Sequence, residues 1–287
     1  MSKLGYTLNQ LIKKQRGGSF ATRSASKRIL NLIAKELIEK GYKIKTPDQL
    51  KPKHIEYLVT KWRHNELSSS TIKNRMAELR WLSAQIGKPN IVHRTNDAYS
   101  ISRRVFVGEN KAHNLDMSKL QNIQDIPTRY SLLLQSHFGL RKAECIHFNA
   151  AYADKEEHIY LKSTWTKGGK ARSVPIKTQG QRDLLNEIKA KFGSKSLIAD
   201  NRNFKEQMKV YEYETCRVGL NKNHGLRHHY AQNRFKDISG YSCTHQGGKS
   251  RKEMSKEEKE VDNNFRKQLS QELGHERIQI TAMYIGS

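Results

Sequence analysis

"HIYLKSTWTKGGKARSVPIK", residues 158–177, breaks the helical rhythm that governs most of this chain. Its flanks, HIYLKSTW and ARSVPIK, are short runs rich in β-formers, and Gly168-Gly169 between them supplies the backbone freedom of a tight turn. The stretch predicts a β-hairpin with Thr166–Lys170 as its turn, which puts Lys167 at the lip and Lys170 close beside it. The surrounding sequence carries apolar residues at helical spacing. The expected fold is therefore mainly α with one small β-hairpin inserted.

Working outward, residues 116–148 read as two or three helices broken at Gly139, and helices resume from Gln179 and again around HGLRHHYAQNRF. Residues 237–265 are polar, rich in lysine and include Gly247-Gly248, the signature of an exposed insertion. Upstream, SASKRILNLIAKELIEK places Ile29, Leu30, Ile33, Leu37 and Ile38 on one stripe, with Ser24 as the expected N-cap and Gly41 as the stop. A second helix is expected over about 53–65. A third opens at SSSTIKNRMAELRWLSAQIG, with Ile72, Met76, Leu79, Leu82 and Ile86 facing inward and Lys73, Arg75 and Arg80 on its polar face. From Pro89 to Asn114 the periodicity fades into a basic stretch carrying Arg94, Arg103 and Arg104. The expected organisation is a basic arm (1–20), a helical domain (21–90), a basic linker (91–114) and a second domain (115–287).

Charge narrows the partner. Of 287 residues, 53 are Lys or Arg and 28 are Asp or Glu, a formal net charge of +25 spread along the chain. Such a surplus repels itself in a folded protein and is best explained by a polyanion, with nucleic acid ahead of a membrane surface. No stretch approaches the roughly 20 apolar residues of a spanning helix, and Met1–Phe20 lacks the apolar run of a signal peptide. Three scattered cysteines, Cys145, Cys216 and Cys243, fit reduced thiols in the cytosol. Cys243 with His245, or His228 with His229, has no second ligand pair at zinc spacing, so no metal is expected.

Four patterns in the second domain carry chemistry. FGLRKAECIHF puts Arg141 just after a helix break, with Glu144 one turn on; the hairpin presents Lys167; HGLRHHYA puts His224 and Arg227 three apart, on one face of a helix. LGHERIQITAMY adds His275 and, nine residues later, Tyr284, on a segment whose apolar face is expected to be Leu273, Ile278, Ile280 and Met283. Each pattern alone has an ordinary structural reading, such as a solvated lysine or a packed tyrosine. Their order and company do not.

This order resembles the tyrosine recombinases, or phage-type integrases. The resemblance rests on GLRKAE, Lys167, HGLRH, LGH and Tyr284, and SSSTIKNRMAELRWL is similar to the Thr-Ile-x-Asn helix of that family's core-binding domain. It covers roughly residues 20–287 and implies a helical core-binding domain followed by a mixed α/β catalytic domain. It implies a site-specific recombinase of a mobile genetic element, integrating or excising DNA through a 3′-phosphotyrosine intermediate. Arg141 and Arg227 would clamp the scissile phosphate, Tyr284 would attack it, and His224 would handle the nucleophile's proton. His275 would hydrogen-bond the phosphate, Lys167 (with Lys170 as runner-up) would protonate the leaving 5′-oxygen, and Glu144 would support Arg141 or a neighbouring histidine. Lys73, Arg75, Arg80, Arg103, Arg104, Lys170 and Arg172 are the expected DNA contacts. No cofactor is implied. The implied partners are double-stranded attachment sites, a homotetramer on synapsed DNA and accessory DNA-bending proteins, in the cytoplasm at the nucleoid. Mobility of the tyrosine segment would let it carry the nucleophile into a pocket built elsewhere.

Two departures stand out: 48 residues separate Arg227 from His275, and only Ile285, Gly286 and Ser287 follow Tyr284. The insertion accounts for the first, and its lysines would extend the DNA footprint or meet another subunit. Alternative readings are a type IB topoisomerase, which uses nearly the same residues as a monomer, and a non-catalytic architectural DNA-binding protein.

Overall fold

The computed structural model describes residues 2–104 and 107–287, the side chain of Gln15 excepted. The chain divides into two compact units, residues 1–105 and 106–287. The division falls inside the stretch expected to be a linker, of which residues 105 and 106 lie outside the described residues. Among the described residues no helix is long and apolar enough to cross a membrane.

The first unit is helical: α1 (Lys3–Gln15), α2 (Phe20–Glu39), α3 (Pro52–His64) and α4 (Ser69–Gln85). Residues 3–15 are a packed helix where the sequence suggested a basic arm. Ser2 caps it, and Leu4, Leu8 and Ile12 bury at four-residue spacing against Leu30, Ile33 and Leu37 of α2. Helix α2 also begins earlier than expected. Ser19 accepts the Thr22 amide at 3.2 Å as its N-cap, so Ser24 lies inside the helix. Gly41 does end it, with φ of 93°. Val92, Tyr99 and Ile101 also bury in this core, so the start of the expected linker is packed and not a solvated loop.

The second unit runs α5 (Met117–Gln121), α6 (Ile126–Phe138), α7 (Lys142–His147), α8 (Ala150–Ala153), β1 (His158–Leu161), β2 (Arg172–Pro175), α9 (Gln179–Phe192), α10 (Phe204–Arg217), α11 (His224–Ser239), α12 (Lys256–Glu272) and α13 (Ile278–Ile285). Strands β1 and β2 form the expected antiparallel hairpin, in register His158 to Pro175 and Leu161 to Arg172. Its inward side chains, Ile159, Leu161 and Val174, meet Phe138, Phe148, Leu185, Phe235 and Leu269 in one core. The expected insertion is only partly exposed. Residues 256–265 are the first half of α12, and Cys243, Met254 and Asp262 are buried.

Candidate active site

The site grows from a reversal in the backbone. Helix α6 stops at Gly139, with φ of 61°, and a Cβ there would lie 2.3 Å from Cδ1 of Tyr230. Only glycine meets both demands. The turn delivers Arg141 to the head of α7, where its own amide donates to Glu144 at 2.7 Å. The Glu144 carboxylate is 1% exposed and takes Nη1 of Arg141 at 2.8 Å and both Nη atoms of Arg172, at 2.8 and 2.7 Å. Burial alone would raise its proton affinity. The hydrogen bonds and charge of Arg172, with the charges of Arg141 and Arg227, outweigh burial and hold it at about 2.

Arg227, in the first turn of α11, is 1% exposed. Its Nη1 donates to the Gly139 carbonyl and its Nη2 to the Leu273 carbonyl. Arg141 Nη2 donates to that same Leu273 oxygen at 3.2 Å. Leu273 caps the C-terminus of α12, where carbonyls have no partner within the helix. The next residue, Gly274, has φ of 67° and Arg172 packed so close that a Cβ would be 2.8 Å from its Cδ. That turn brings His275 Nε2 to 3.4 Å from Arg227 Nη2. Two buried polar atoms here, Arg227 Nε and His275 Nδ1, have no hydrogen-bond partner among the described residues. Burial, then the like charge of Arg141, lowers Arg227 to about 10, which still leaves it charged at neutral pH.

Tyr284, 6% exposed on α13, faces this pair. Its hydroxyl lies 3.2 Å from His224 Nε2, and its ring centroid is 5.6 Å from Cζ of Arg227. The ring packs against His228, with centroids 4.4 Å apart, and against His275 at 5.2 Å. Loss of solvent first, then the charge of Arg227, lowers His275 to about 3 and His224 to about 4; burial and neighbouring positive charge hold His228 at about 4. All three are neutral imidazoles in the free protein at neutral pH. Helix α11 explains the grouping, because His224, His228 and Gln232 recur every four residues along one face.

Arg141, Glu144, His224, Arg227, His275 and Tyr284 thus come together. Lys167 does not touch them. It is exposed in the hairpin turn, has no hydrogen bond or ion pair among the described residues, and adds a small positive charge effect at His224. Lys170, in the same turn, is paired with Glu276. Three of the expected DNA contacts are tied up inside their own units. Arg172 is buried on Glu144; Arg75 packs 5.0 Å from the Trp62 ring centre and 3.5 Å from Glu36; Arg80 donates to the carbonyls of His93 and Thr95 at 2.9 and 3.1 Å. Arg104 donates to Asn74 at 2.7 Å, whereas Arg103 is exposed. The expected apolar face of α13 is also corrected. Leu273 is buried as expected, but Ile280 and Met283 are exposed at 37% and 41%, while Thr281, Tyr284 and Ile285 bury. Sequence reasoning passed over Arg172 as a support for Glu144, and Gln232 altogether. His228 it considered only as a metal ligand. Among the described residues no group of three or more His, Cys, Asp or Glu side chains is arranged to hold a metal ion.

Comparison with known proteins follows the same division. Residues 1–92 match the family model for the N-terminal region of phage integrases, and residues 105–233 match the integrase model. The chain belongs to the tyrosine recombinase, or phage integrase, family. It is a site-specific recombinase that cleaves and rejoins DNA. A comparison with curated proteins finds no match. Among solved structures, the Tn1549 transposon integrase (residues 82–397) in complex with circular intermediate DNA is 15% identical, with a TM-score of 0.57 over 98% of this chain and 95% of that one. A lambda integrase dimer bound to a COC′ core site is 14% identical, with a TM-score of 0.64 over 98% and 76%. XerH bound to palindromic difH substrate is 18% identical, at 0.57 over 98% and 80%. At these identities the likeness shows a shared fold, a helical N-terminal domain followed by a mainly helical domain with a β-hairpin.

Proposed function

We propose that this recombinase cleaves one DNA strand with Tyr284, held against a phosphate clamped by Arg141 and Arg227. The observation that carries the reading is the shared acceptor: both guanidiniums donate to the one Leu273 oxygen, within reach of the Tyr284 ring. A non-bridging phosphate oxygen would replace that carbonyl, and the unpartnered Arg227 Nε and His275 Nδ1 supply further hydrogen-bonding capacity. Guanidinium forks suit this task because they stay charged and bind two oxygens in a plane. They stabilise the charge that grows on phosphorus as the fifth bond forms.

A phenol is a weak nucleophile until a base takes its proton. His224, neutral and 3.2 Å from the hydroxyl, accepts its proton as Tyr284 Oη bonds to phosphorus. The P–O bond to the 5′-oxygen breaks, leaving a 3′-phosphotyrosine, and Lys167 gives the leaving oxygen its proton. An anionic phosphate offsets the guanidinium charge that depresses His224, so DNA binding itself strengthens the base. Religation runs the steps backwards with a 5′-hydroxyl as nucleophile. The working assembly is a tetramer on two synapsed attachment sites, in the cytoplasm at the nucleoid, with DNA-bending proteins as accessories. A lambda integrase tetramer bound to a Holliday junction shares this fold.

The test starts from random DNA, so the target sequence is an outcome and not an input. The full chain is mixed with a library of nicked duplexes of random sequence, and DNA that stays attached in detergent is sequenced. A consensus should emerge with wild type. Tyr284→Phe should bind the selected duplex and give no adduct; an adduct on that variant refutes the assignment.

A further inference from the structure

Tyr284 is held by its backbone as well as by its ring. Its carbonyl lies in the last turn of α13, where no intrahelical donor remains. Gln232, 2% exposed on α11, donates to it from Nε2 at 2.9 Å. The same nitrogen donates to Oδ1 of Asn110 at 2.7 Å. Asn110 in turn accepts the Ala112 amide at 3.0 Å and donates to the His245 carbonyl at 3.0 Å.

The polarity of this chain is forced. The Ala112 N–H can only donate, so Asn110 must present its oxygen there, and its NH₂ goes to the His245 carbonyl. The remaining partner of that oxygen must donate, and the Tyr284 carbonyl accepts only. Gln232 must therefore show its NH₂ to both, which a glutamate could not do. Helix α11 also carries His224, which meets the Tyr284 hydroxyl, and Arg227, half of the proposed clamp. One rigid helix thus fixes the nucleophile at both ends and one of the groups that would hold its target.

We infer that Gln232 is a positioning residue for Tyr284, with Asn110 orienting its amide. The inference rests on Tyr284 being the nucleophile and adds what sets its place. In-line attack needs reacting atoms roughly 3–3.5 Å apart, and a shift of about 1 Å costs about 10²-fold. Freeing the Tyr284 carbonyl lets α13 drift by a fraction of that.

The experiment uses the full chain on the duplex recovered from the random library, at saturating protein in a single turnover. Gln232→Met keeps the side chain's size but donates nothing, and Gln232→Glu offers an acceptor in place of a donor. Both should slow adduct formation about tenfold while DNA affinity stays within about twofold. Asn110 is exposed, so Asn110→Ala tests the same point if the buried variants fail to fold, with a smaller loss in the same direction. A Tyr284→Ala background, with hydrogen peroxide supplied as external nucleophile, separates positioning from general damage. Adding Gln232→Met there should leave peroxide-driven cleavage unchanged. Adduct formation at or above the wild-type rate in Gln232→Met, or an equal fall in peroxide cleavage, overturns the inference. Failure of the wild type to form any adduct would instead remove the reading beneath it, and this inference with it.

Discussion

Arg141 and Arg227 donate to the same carbonyl oxygen, that of Leu273. Two like charges held on one neutral acceptor favour its exchange for an anion. Arg141→Ala should therefore slow single-turnover cleavage by about 10²–10³, the range found when one donor to a developing oxyanion is lost. Arg227→Lys keeps the charge but loses the fork that also holds the Gly139 carbonyl, and should lose a similar factor. Duplex binding, measured in parallel by gel shift, should change far less. Equal losses in both would move these arginines from reaction to recognition.

Glu144 is the buried anion on which Arg141 and Arg172 both lean. Removing it leaves two guanidiniums uncompensated beside Arg227, so Glu144→Ala should destabilise the protein by about 3–5 kcal/mol. Urea unfolding measures this directly. Replacing the buried pair together, Glu144→Leu with Arg172→Met, should recover most of that stability and none of the cleavage, because Arg141 has still lost its anchor. Recovery of cleavage would show that Glu144 serves folding alone.

How far the sequence reaches depends on which face of an element carries the signal. The hairpin, α3 and α4 were legible because their apolar residues repeat at strand or helix spacing. Helix α1 was missed because lysines and Gly17-Gly18 masked Leu4, Leu8 and Ile12, its buried anchors. Within the site, the order of arginines, histidines and tyrosine was legible. The Leu273 carbonyl was not, since a backbone acceptor leaves no mark on residue type. Arg172 did leave one: it shares a strand face with buried Val174, two positions on. Arg75 left another, standing three after Ile72 and four before Leu79 on a buried helical face.

That distinction makes a salt experiment decisive. Lys73 and Arg103 have no ion pair among the described residues, whereas Arg75 is committed to Glu36 and Trp62. If Lys73 and Arg103 contact phosphates, Lys73→Ala and Arg103→Ala should each reduce the slope of log affinity against log salt by about one. Arg75→Ala should leave the slope alone and lower the unfolding midpoint. A slope change in Arg75→Ala would show that its guanidinium leaves the core to meet DNA.

His224, His228 and His275 tie stability to pH, and the sign follows from their direction of shift. Each lies below its ordinary 6.5 in the folded protein, at about 4, 4 and 3. As pH falls through 6.5 the unfolded chain takes up protons that the folded state refuses, so folding weakens. The loss should run from about pH 6.5 down through 4, where His224 and His228 level off, and on towards 3 for His275. Glu144, held at about 2 against an ordinary 4.5, adds a second loss only below 4.5. His228→Phe keeps a ring against Tyr284 but cannot take a proton, so it should flatten the first decline in melting temperature. Bound DNA should flatten it too, since a phosphate between the guanidiniums raises the histidines toward their ordinary values. Proton NMR of the imidazole rings checks the premise: in the free protein these three should stay neutral at pH 5.5, and one titrating near 6.5 would show that neither burial nor the neighbouring positive charge depresses it.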